Sequence, residues 1–574
     1  MKTNANYNRI KAKNASKRRP TKTAVCGVRG VRSASHAPSV RRVADAVTVV
    51  AAIENIDTGT FKIELAFSDC TGEPKRCEVE RSMLGDPRAI TRFLLDRGAI
   101  FPTGTDFPSL MSAAKRHRRV TSRIGWHGTD TFVLPRATIG KDLALIYAGS
   151  ATGTRGMTAG TLPKWKSSLS DLLSRSSYLT FGVALAFAAP LAALLDLEET
   201  AAFHLFGESN SGKTLVAKVA NSVTGRARER DLVGFDQADA ALNDVMFDHH
   251  STLLVMNEMK TDSGGAARTL PKLSHTLTSG LGRNRSEFAS RDRSLQLRHW
   301  CIFGLTTMEK SLENLTNNAR DNGERARHID VPVPPRDQGG IFDRLGGGGQ
   351  IGDDARAMAE LVVTAINDNY GVAFPPFVES IMASRDKTLK RFQRNVAMFV
   401  DRCAISDDAW ERRIAIKFGY VYAAGIAAIR AGVLPCTRAQ MVYSCRKLYR
   451  VSRRSLTAIE TEVKVDMEVF RKMVCDDKRV PRIENGNVAP EGFETCLGFR
   501  RRLDLHGDVA CLRPVELKKV MGSEAKYREL LSILKSKNAI VGCSNKTPTT
   551  AREVKGCGRS RYLTLKIASL DPAL

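Results

Sequence analysis

The stretch Phe203–Thr214, FHLFGESNSGKT, restricts the possible folds of this chain more than any other. Phe203 to Phe206 is a short apolar run, which predicts a buried strand. Gly207 follows at once, then four spacers, then Gly212, Lys213 and Thr214. The next residues, LVAKVANSV, have the amphipathic pattern of a helix. Strand, Gly-x-x-x-x-Gly-Lys-Thr and helix is a phosphate-binding loop in the context it requires. The glycines let successive backbone N–H groups face inward and cradle phosphate oxygens at a helix N-terminus. The expected ATP-binding residues are therefore Gly207, Glu208, Ser209, Asn210, Ser211, Gly212, Lys213 and Thr214. Lys213 is expected to reach the β- and γ-phosphates and Thr214 to place its hydroxyl on Mg²⁺. The fold class that follows is α/β, with a P-loop NTPase core.

A second strand fits the same core. Thr252 to Met256 is followed by Asn257 and Glu258, the shape of a Walker B strand ending at the carboxyl edge of a sheet. Glu258 is the expected general base toward the attacking water. Asn257 stands where an Asp normally steadies the magnesium shell. Its amide can accept from a metal-bound water but brings no negative charge. The following strand, Trp300 to Leu305, ends in Thr306 and Thr307, one of which is placed to sense the γ-phosphate. The sequence does not decide between them, and Thr307 is carried as the candidate. In GERARHIDVPVP, Arg325 and Arg327 precede a short strand closed by Pro332. One of the two could be a finger reaching a neighbouring subunit's nucleotide. Arg327 is carried as the candidate.

The charge points to a polyanionic partner. The chain has 574 residues and a formal net charge of +27, an excess most simply matched by nucleic acid. The stretch SGLGRNRSEFASRDRSLQLRHW has no apolar period and reads as an exposed basic loop. Its Arg283, Arg285, Arg291 and Arg293 are the expected DNA contacts. Twelve cysteines carry no C-x-x-C pair, which predicts reduced thiols and a cytoplasmic location. The apolar run Phe181 to Leu195 is shorter than a membrane span and contains Pro190, so it predicts a buried core helix and no membrane.

The chain divides by pattern into five parts. Residues 1–44 are a basic tail with no hydrophobic period. Residues 45–165 read as an α+β domain, with strands at Val47–Ile53 and Thr60–Phe67, a helix near Pro87–Arg97 and a hairpin RIGWHGTDTFVLP turning at Gly128. Trp126 and His127 read as packing residues. Residues 166–335 hold the P-loop ATPase core. Residues 336–480 read as an α-helical lid bundle, entered through the glycine-rich LGGGGQIGDD. Residues 481–574 read as a winged-helix-like domain. It has helices at Pro514–Met521 and Ala525–Lys537, wing strands at Ala539–Cys543 and Arg561–Lys566, and Lys546, Arg552, Lys555 and Arg559 between them.

The phosphate loop, SYLTFGVALAFAAPLAALL, GWHGTDTFVLP and the segment at GERARHIDVPVP together resemble the bacterial domain-of-unknown-function family 927, over roughly residues 45 to 440. That family is regarded as helicase-like AAA+ ATPases carried on prophages and integrative elements. The resemblance implies an AAA+/ASCE-type sheet, a homo-oligomeric ring, and ATP- and Mg²⁺-dependent unwinding or translocation of single-stranded or forked DNA. The family's usual Walker B acidic pair is here Asn257 and Glu258. Two other readings stay open: an ATP-binding loader or switch with weak hydrolysis, and a non-enzymatic winged-helix DNA-binding regulator.

Overall fold

The computed structural model describes residues 47–102, 104–112, 116–149, 153–234, 239–257, 272–281, 299–316, 320–345, 350–403, 408–484, 487–542 and 549–570. The basic tail, Glu258, Arg283, Arg285, Arg291, Arg293 and Lys546 lie outside the described residues. The chain forms two compact units, Met1–Val49 with Leu65–Ala113, and Val50–Glu64 with Ala114–Leu574.

Strands β1 (Val47–Asn55) and β2 (Thr60–Ser68) form at the two β-rich runs, joined by the expected turn at Gly59. The smaller unit adds β3 (Pro74–Glu80), α1 (Pro87–Leu95) and α2 (Phe107–Ser112). Asp86 caps α1 by accepting from the amides of Arg88 and Ala89, and Pro87 sits at the first helical position, where its missing N–H costs nothing. Ile90 and Leu94 of α1 and Phe107 and Met111 of α2 are buried.

In the larger unit, β4 (His117–Thr121) runs parallel to β1, with Ala52 opposite His117. A separate three-stranded sheet contains β5 (Gly125–His127), β6 (Thr131–Leu134) and β7 (Ala137–Gly140). It is the hairpin expected at GWHGTDTFVLP. Trp126 packs edge-on against Phe132 with ring centroids 5.0 Å apart and donates from Nε1 to the Pro190 carbonyl. That is a packing role. Strand β8 (Leu145–Tyr147) joins β4 in parallel.

Three helices follow, α3 (Leu162–Ser174), α4 (Ser177–Ala186) and α5 (Ala188–Leu194). Together 177–194 is apolar and long enough to pass for a membrane span, yet 89% of it is buried inside the protein. It is the floor on which the next sheet lies. That sheet holds β9 (Ala202–Phe206), β10 (Leu253–Asn257), β11 (Phe303–Met308) and β12 (His328–Pro332) in the order β10-β11-β9-β12, with every pairing parallel. The parallel order follows from the crossovers α6 (Lys213–Ser222), α7 (Asp239–Asp248), α8 (Leu312–Leu315) and α9 (Asn322–Arg327). Outside β10, Val233 makes a single parallel bridge to Met256, a fifth strand reduced to one residue.

Alternation along the strands feeds two cores. Phe203, Leu205, Leu253, Val255, Phe303 and Leu305 enter one, and Ala202, Leu254 and Met256 the other. Residues buried on both faces are what a parallel sheet between helices requires. The first core continues without a break into the helices α10 (Ile351–Asp368), α11 (Phe374–Ala383), α12 (Arg385–Arg402), α13 (Ala409–Arg430) and α14 (Arg438–Val463). Small residues let these helices approach one another and α4 closely. A Cβ on Gly425 of α13 would lie 2.3 Å from Met441 Sδ and 3.1 Å from Ala184 Cβ.

The C-terminal region has its own core. Phe470 and Val474 of α15 (Met467–Cys475) are buried with Leu512, Leu517, Leu530, Leu534 and Leu563. Its antiparallel sheet is ordered β13-β14-β16-β15, from β13 (Gly498–Leu503), β14 (Gly507–Leu512), β15 (Thr550–Val554) and β16 (Gly558–Lys566). Helices α16 (Pro514–Met521) and α17 (Glu524–Ser536) fall at the expected positions. The strand expected at Ala539–Cys543 does not form there. Ile540 makes only an isolated bridge to Leu565, and Cys543 lies outside the described residues. The hairpin is β15–β16 instead, closed by a turn in which Gly556 and Gly558 both take positive φ.

Candidate nucleotide-phosphate site

Strand β9 ends at Phe206, and the loop begins where the sheet's carboxyl edge opens. Two of its glycines are required by geometry. Gly207 has φ +151°, and a Cβ there would meet the Val333 carbonyl oxygen at 2.5 Å. Gly212 has φ +97°, and a Cβ would press on Ile341 at 2.8 Å. Helix α6 starts at Lys213, so the first amides of the helix point into the loop with no intrahelical partner.

Lys213 is 8% exposed. Its ammonium donates to the Gly207 carbonyl at 2.8 Å, the Glu208 carbonyl at 2.6 Å and Ser211 Oγ at 3.3 Å. Thr214 Oγ1 donates to Asn257 Oδ1 at 3.2 Å, and Thr307 Oγ1 donates to the same oxygen. Asn257 thus links the loop helix to the tip of the middle strand. Register makes this possible, since Asn257 lies directly opposite Thr307 in the β10–β11 pair.

Thr306 is engaged elsewhere. The His204 ring lies between the Lys310 carbonyl, 3.0 Å from Nε2, and Thr306 Oγ1, 2.8 Å from Nδ1. His328 Nε2 lies 2.8 Å from the same Thr306 oxygen, and Ser274 Oγ is 3.0 Å from His328 Nδ1. A carbonyl only accepts, so Nε2 of His204 carries the proton. Thr306 then donates to His204 Nδ1 and accepts from His328 Nε2. Thr306 is fully used inside the sheet, while Thr307 faces the loop.

Both rings are buried and neutral. Burial brings the His204 pKa down to about 4, and burial, His204 and Arg320 hold His328 well below its ordinary value. The unfolded chain takes up protons below pH 6.5 that the folded chain refuses, so stability falls as the pH drops toward 4. From pH 7 to pH 5, His204 alone should remove about 2 kcal/mol at 1.36 kcal/mol per unit. The urea midpoint measured at the two pH values checks this. His204→Gln should flatten that part of the slope, and an unchanged slope would refute the neutral assignment.

The loop opens on a cavity of about 770 Å³. One wall comes from the segment after β12. Arg336, Gly339, Gly340 and Phe342 line it, facing Arg356 and Ala359 of α10. Gly340 has φ +58°, and its Cβ would meet the Ser211 carbonyl at 2.5 Å. Ile341 N donates to that carbonyl at 3.0 Å. The glycine pair before an apolar pair, GGIF, was the available signal.

Arg325 and Arg327 are both paired within the chain. Arg325 contacts Glu313, at 3.0 Å from Nε, and Arg327 contacts Glu199, also at 3.0 Å. Arg327 precedes His328, which pairs with Ala202 at the start of β9. It therefore sits at the edge of the sheet opposite its own phosphate loop. Among the described residues no cluster of three or more His, Cys, Asp or Glu could hold a metal ion.

The site fits a nucleotide triphosphate with its magnesium. The loop is closed to any side chain at Gly207 and Gly212, a buried ammonium lies over it, and Thr214 donates its proton to Asn257, which leaves its lone pairs for a cation. Residues 21–295 match the family model described as Domain of unknown function (DUF927). The resemblance is therefore shown over that stretch, which includes the phosphate loop and Asn257 and ends before β11. A solved structure described as "SCCmec type IV Cch - active helicase" has a TM-score of 0.57, covering 92% of this chain and 94% of its own at 14% identity. At that identity the likeness is one of fold, and it extends over nearly the whole chain. A second, described as the apo structure of the NrS-1 C terminal region, has a TM-score of 0.23 at 11% identity, covering 70% of this chain and 91% of its own, too low to compare folds. No curated protein matches.

Proposed function

We propose that this chain is an ATP-dependent DNA helicase or translocase of a phage or integrative-element replication module, working as a cytoplasmic homo-oligomeric ring of AAA+ type. The observation that carries the reading is the convergence of Lys213, Thr214, Asn257 and Thr307 at one loop. Lys213 supplies a fixed positive charge against phosphate oxygens. The Thr214 hydroxyl, with Asn257 through a water, would hold Mg²⁺, which offsets charge on those oxygens when bound. Thr307 positions Asn257 and faces the loop as sensor. Glu258, next in sequence, is the base for the attacking water, and Arg327 is the finger toward a second copy's loop. The helices α10 to α14 act as the lid, and α16, α17 and the β15–β16 hairpin act as a winged helix on DNA. The basic residues Arg283, Arg285, Arg291 and Arg293 contact the translocated strand.

The test is unwinding of a forked DNA with ATP, beside Glu258→Gln. Unwinding by the native chain and none by the variant supports the motor. A second reading, an ATP-binding loader or switch with weak hydrolysis, is favoured by one feature: Asn257 adds no charge beside Thr214. ATP binding with neither turnover nor unwinding would select it.

A further inference from the structure

A second cleft, of about 760 Å³, lies away from the phosphate loop among α12, α13 and α14. Its floor is apolar, with Met398, Tyr422, Ile426 and Val442. Its walls carry seven arginines and one lysine and no carboxylate. Arg394 and Arg402 come from α12 and Arg430 from the end of α13. The rest stand on α14, where Arg438, Arg446, Arg450 and Arg454 fall on one i±4 ridge. Among the described residues none of these seven arginines has an ion-pair partner. Burial, then Arg391, Arg438 and Arg394, pull the Arg430 pKa below its ordinary value. Gathering like charges at this density costs energy that an anion would return.

We propose that this cleft is a binding site for the phosphodiester backbone of single-stranded nucleic acid. The inference rests on the nucleic-acid reading above and assigns it a surface that reading did not name. Sixteen residues separate Arg438 from Arg454, a rise of about 24 Å at 1.5 Å per residue. At 3.4 Å per charge this row faces on the order of seven phosphates, too long for a mononucleotide. The apolar floor between the arginine walls is what an unpaired base can cover and a duplex, with its bases stacked inside, cannot. Tyr443, 55% exposed on the same wall, offers a ring on which a base can stack.

The cleft also touches the nucleotide site through the chain. Lys447, its one lysine, donates to Asp343 at 2.6 Å. Asp343 accepts from the Ser177 amide and directly follows Ile341 and Phe342, which line and brace the phosphate loop. A strand drawing on Lys447 pulls on the segment that packs against Gly212.

The test uses the full chain, labelled oligo-dT and a salt titration read by fluorescence anisotropy. Arg438→Ala/Arg450→Ala/Arg454→Ala alters three exposed side chains. It should weaken binding on the order of tenfold or more and lower the salt slope by about 2, at 0.7 per lost contact. Binding of ATP with magnesium should stay as in the native chain. The matching triple Arg→Lys variant should keep the slope. Unchanged affinity and slope in the alanine variant would overturn the cleft site while leaving DNA binding by the native chain intact. A native chain that binds no oligonucleotide would overturn both. Loss of binding to duplex alone, or displacement of oligo-dT by poly-glutamate at equal charge, would overturn the single-strand assignment.

Discussion

Lys213→Ala will abolish ATP hydrolysis, lowering steady-state phosphate release by on the order of 10²–10³-fold or more, in a protein that stays folded. The ammonium is the one charged donor that the loop holds inward, at 2.6–2.8 Å from two of the loop's own carbonyls. A positive charge in a site this poorly exposed acts through a low dielectric and is worth far more than in water. Truncation removes that charge where the transferring phosphate needs it. The fold loses less. Two carbonyls at the rim of an open cavity give up hydrogen bonds and can turn to water, a cost of about 1–2 kcal/mol. A pair of threonine variants sharpens the test. Thr307→Val should lower turnover with little loss of stability, because its hydroxyl faces Asn257. Thr306→Val should do the reverse, because it breaks the chain from His204 to His328. Native turnover in Lys213→Ala, measured with magnesium present, would sink the ATPase reading.

What the sequence showed and what it hid follow one rule. Features carried by contiguous residues were legible. Gly207 to Thr214 announced strand, loop and helix because the chemistry of the turn is local, and GWHGTDTFVLP announced a hairpin for the same reason. Features made by distant segments were not. The local GGIF marks a turn but does not say that Gly339–Phe342 returns to brace Ser211, since that contact exists only when β12 lies beside β9. The choice between Thr306 and Thr307 was equally closed. Adjacent residues on a strand point to opposite faces, and only the register with β10 and β9 says which face holds histidines and which holds the loop. The C-terminal hairpin was misplaced because Ala539–Val541 is as apolar as a strand. Its backbone instead caps the sheet with one bridge, while β15 is half polar and reads weakly. The cationic cleft was invisible in principle. Its arginines are spread over three helices, and each helix alone reads as an ordinary basic face.

Glu199→Gln will be among the most destabilising single changes outside the hydrophobic core, costing about 3–5 kcal/mol. The side chain gathers three cations. Lys417 Nζ lies 2.8 Å from Oε1, Arg327 Nε lies 3.0 Å from Oε2, and Arg413 also pairs with it. Burial raises the Glu199 pKa, yet Lys417 and Arg413 outweigh it and hold the carboxyl below its ordinary value. The stability this contributes is present above pH 4.5 and is lost as the pH falls through the lowered value. Lys417 is 3% exposed and burial already works against its charge, so a neutral amide would strand it. Arg327→Ala is the contrasting change. Arg413 and Lys417 still satisfy the carboxylate, and Arg327 is partly exposed, so the loss of stability should stay near 1 kcal/mol. Its turnover decides its role. A finger acting on a second copy would cost about 10³–10⁵-fold in rate with the urea midpoint nearly unmoved. Near-native turnover with a lowered midpoint would confine Arg327 to the Glu199 cluster. A rate loss would report on a second copy's site, because the edge of the sheet that holds Arg327 and Glu199 lies away from the chain's own phosphate loop.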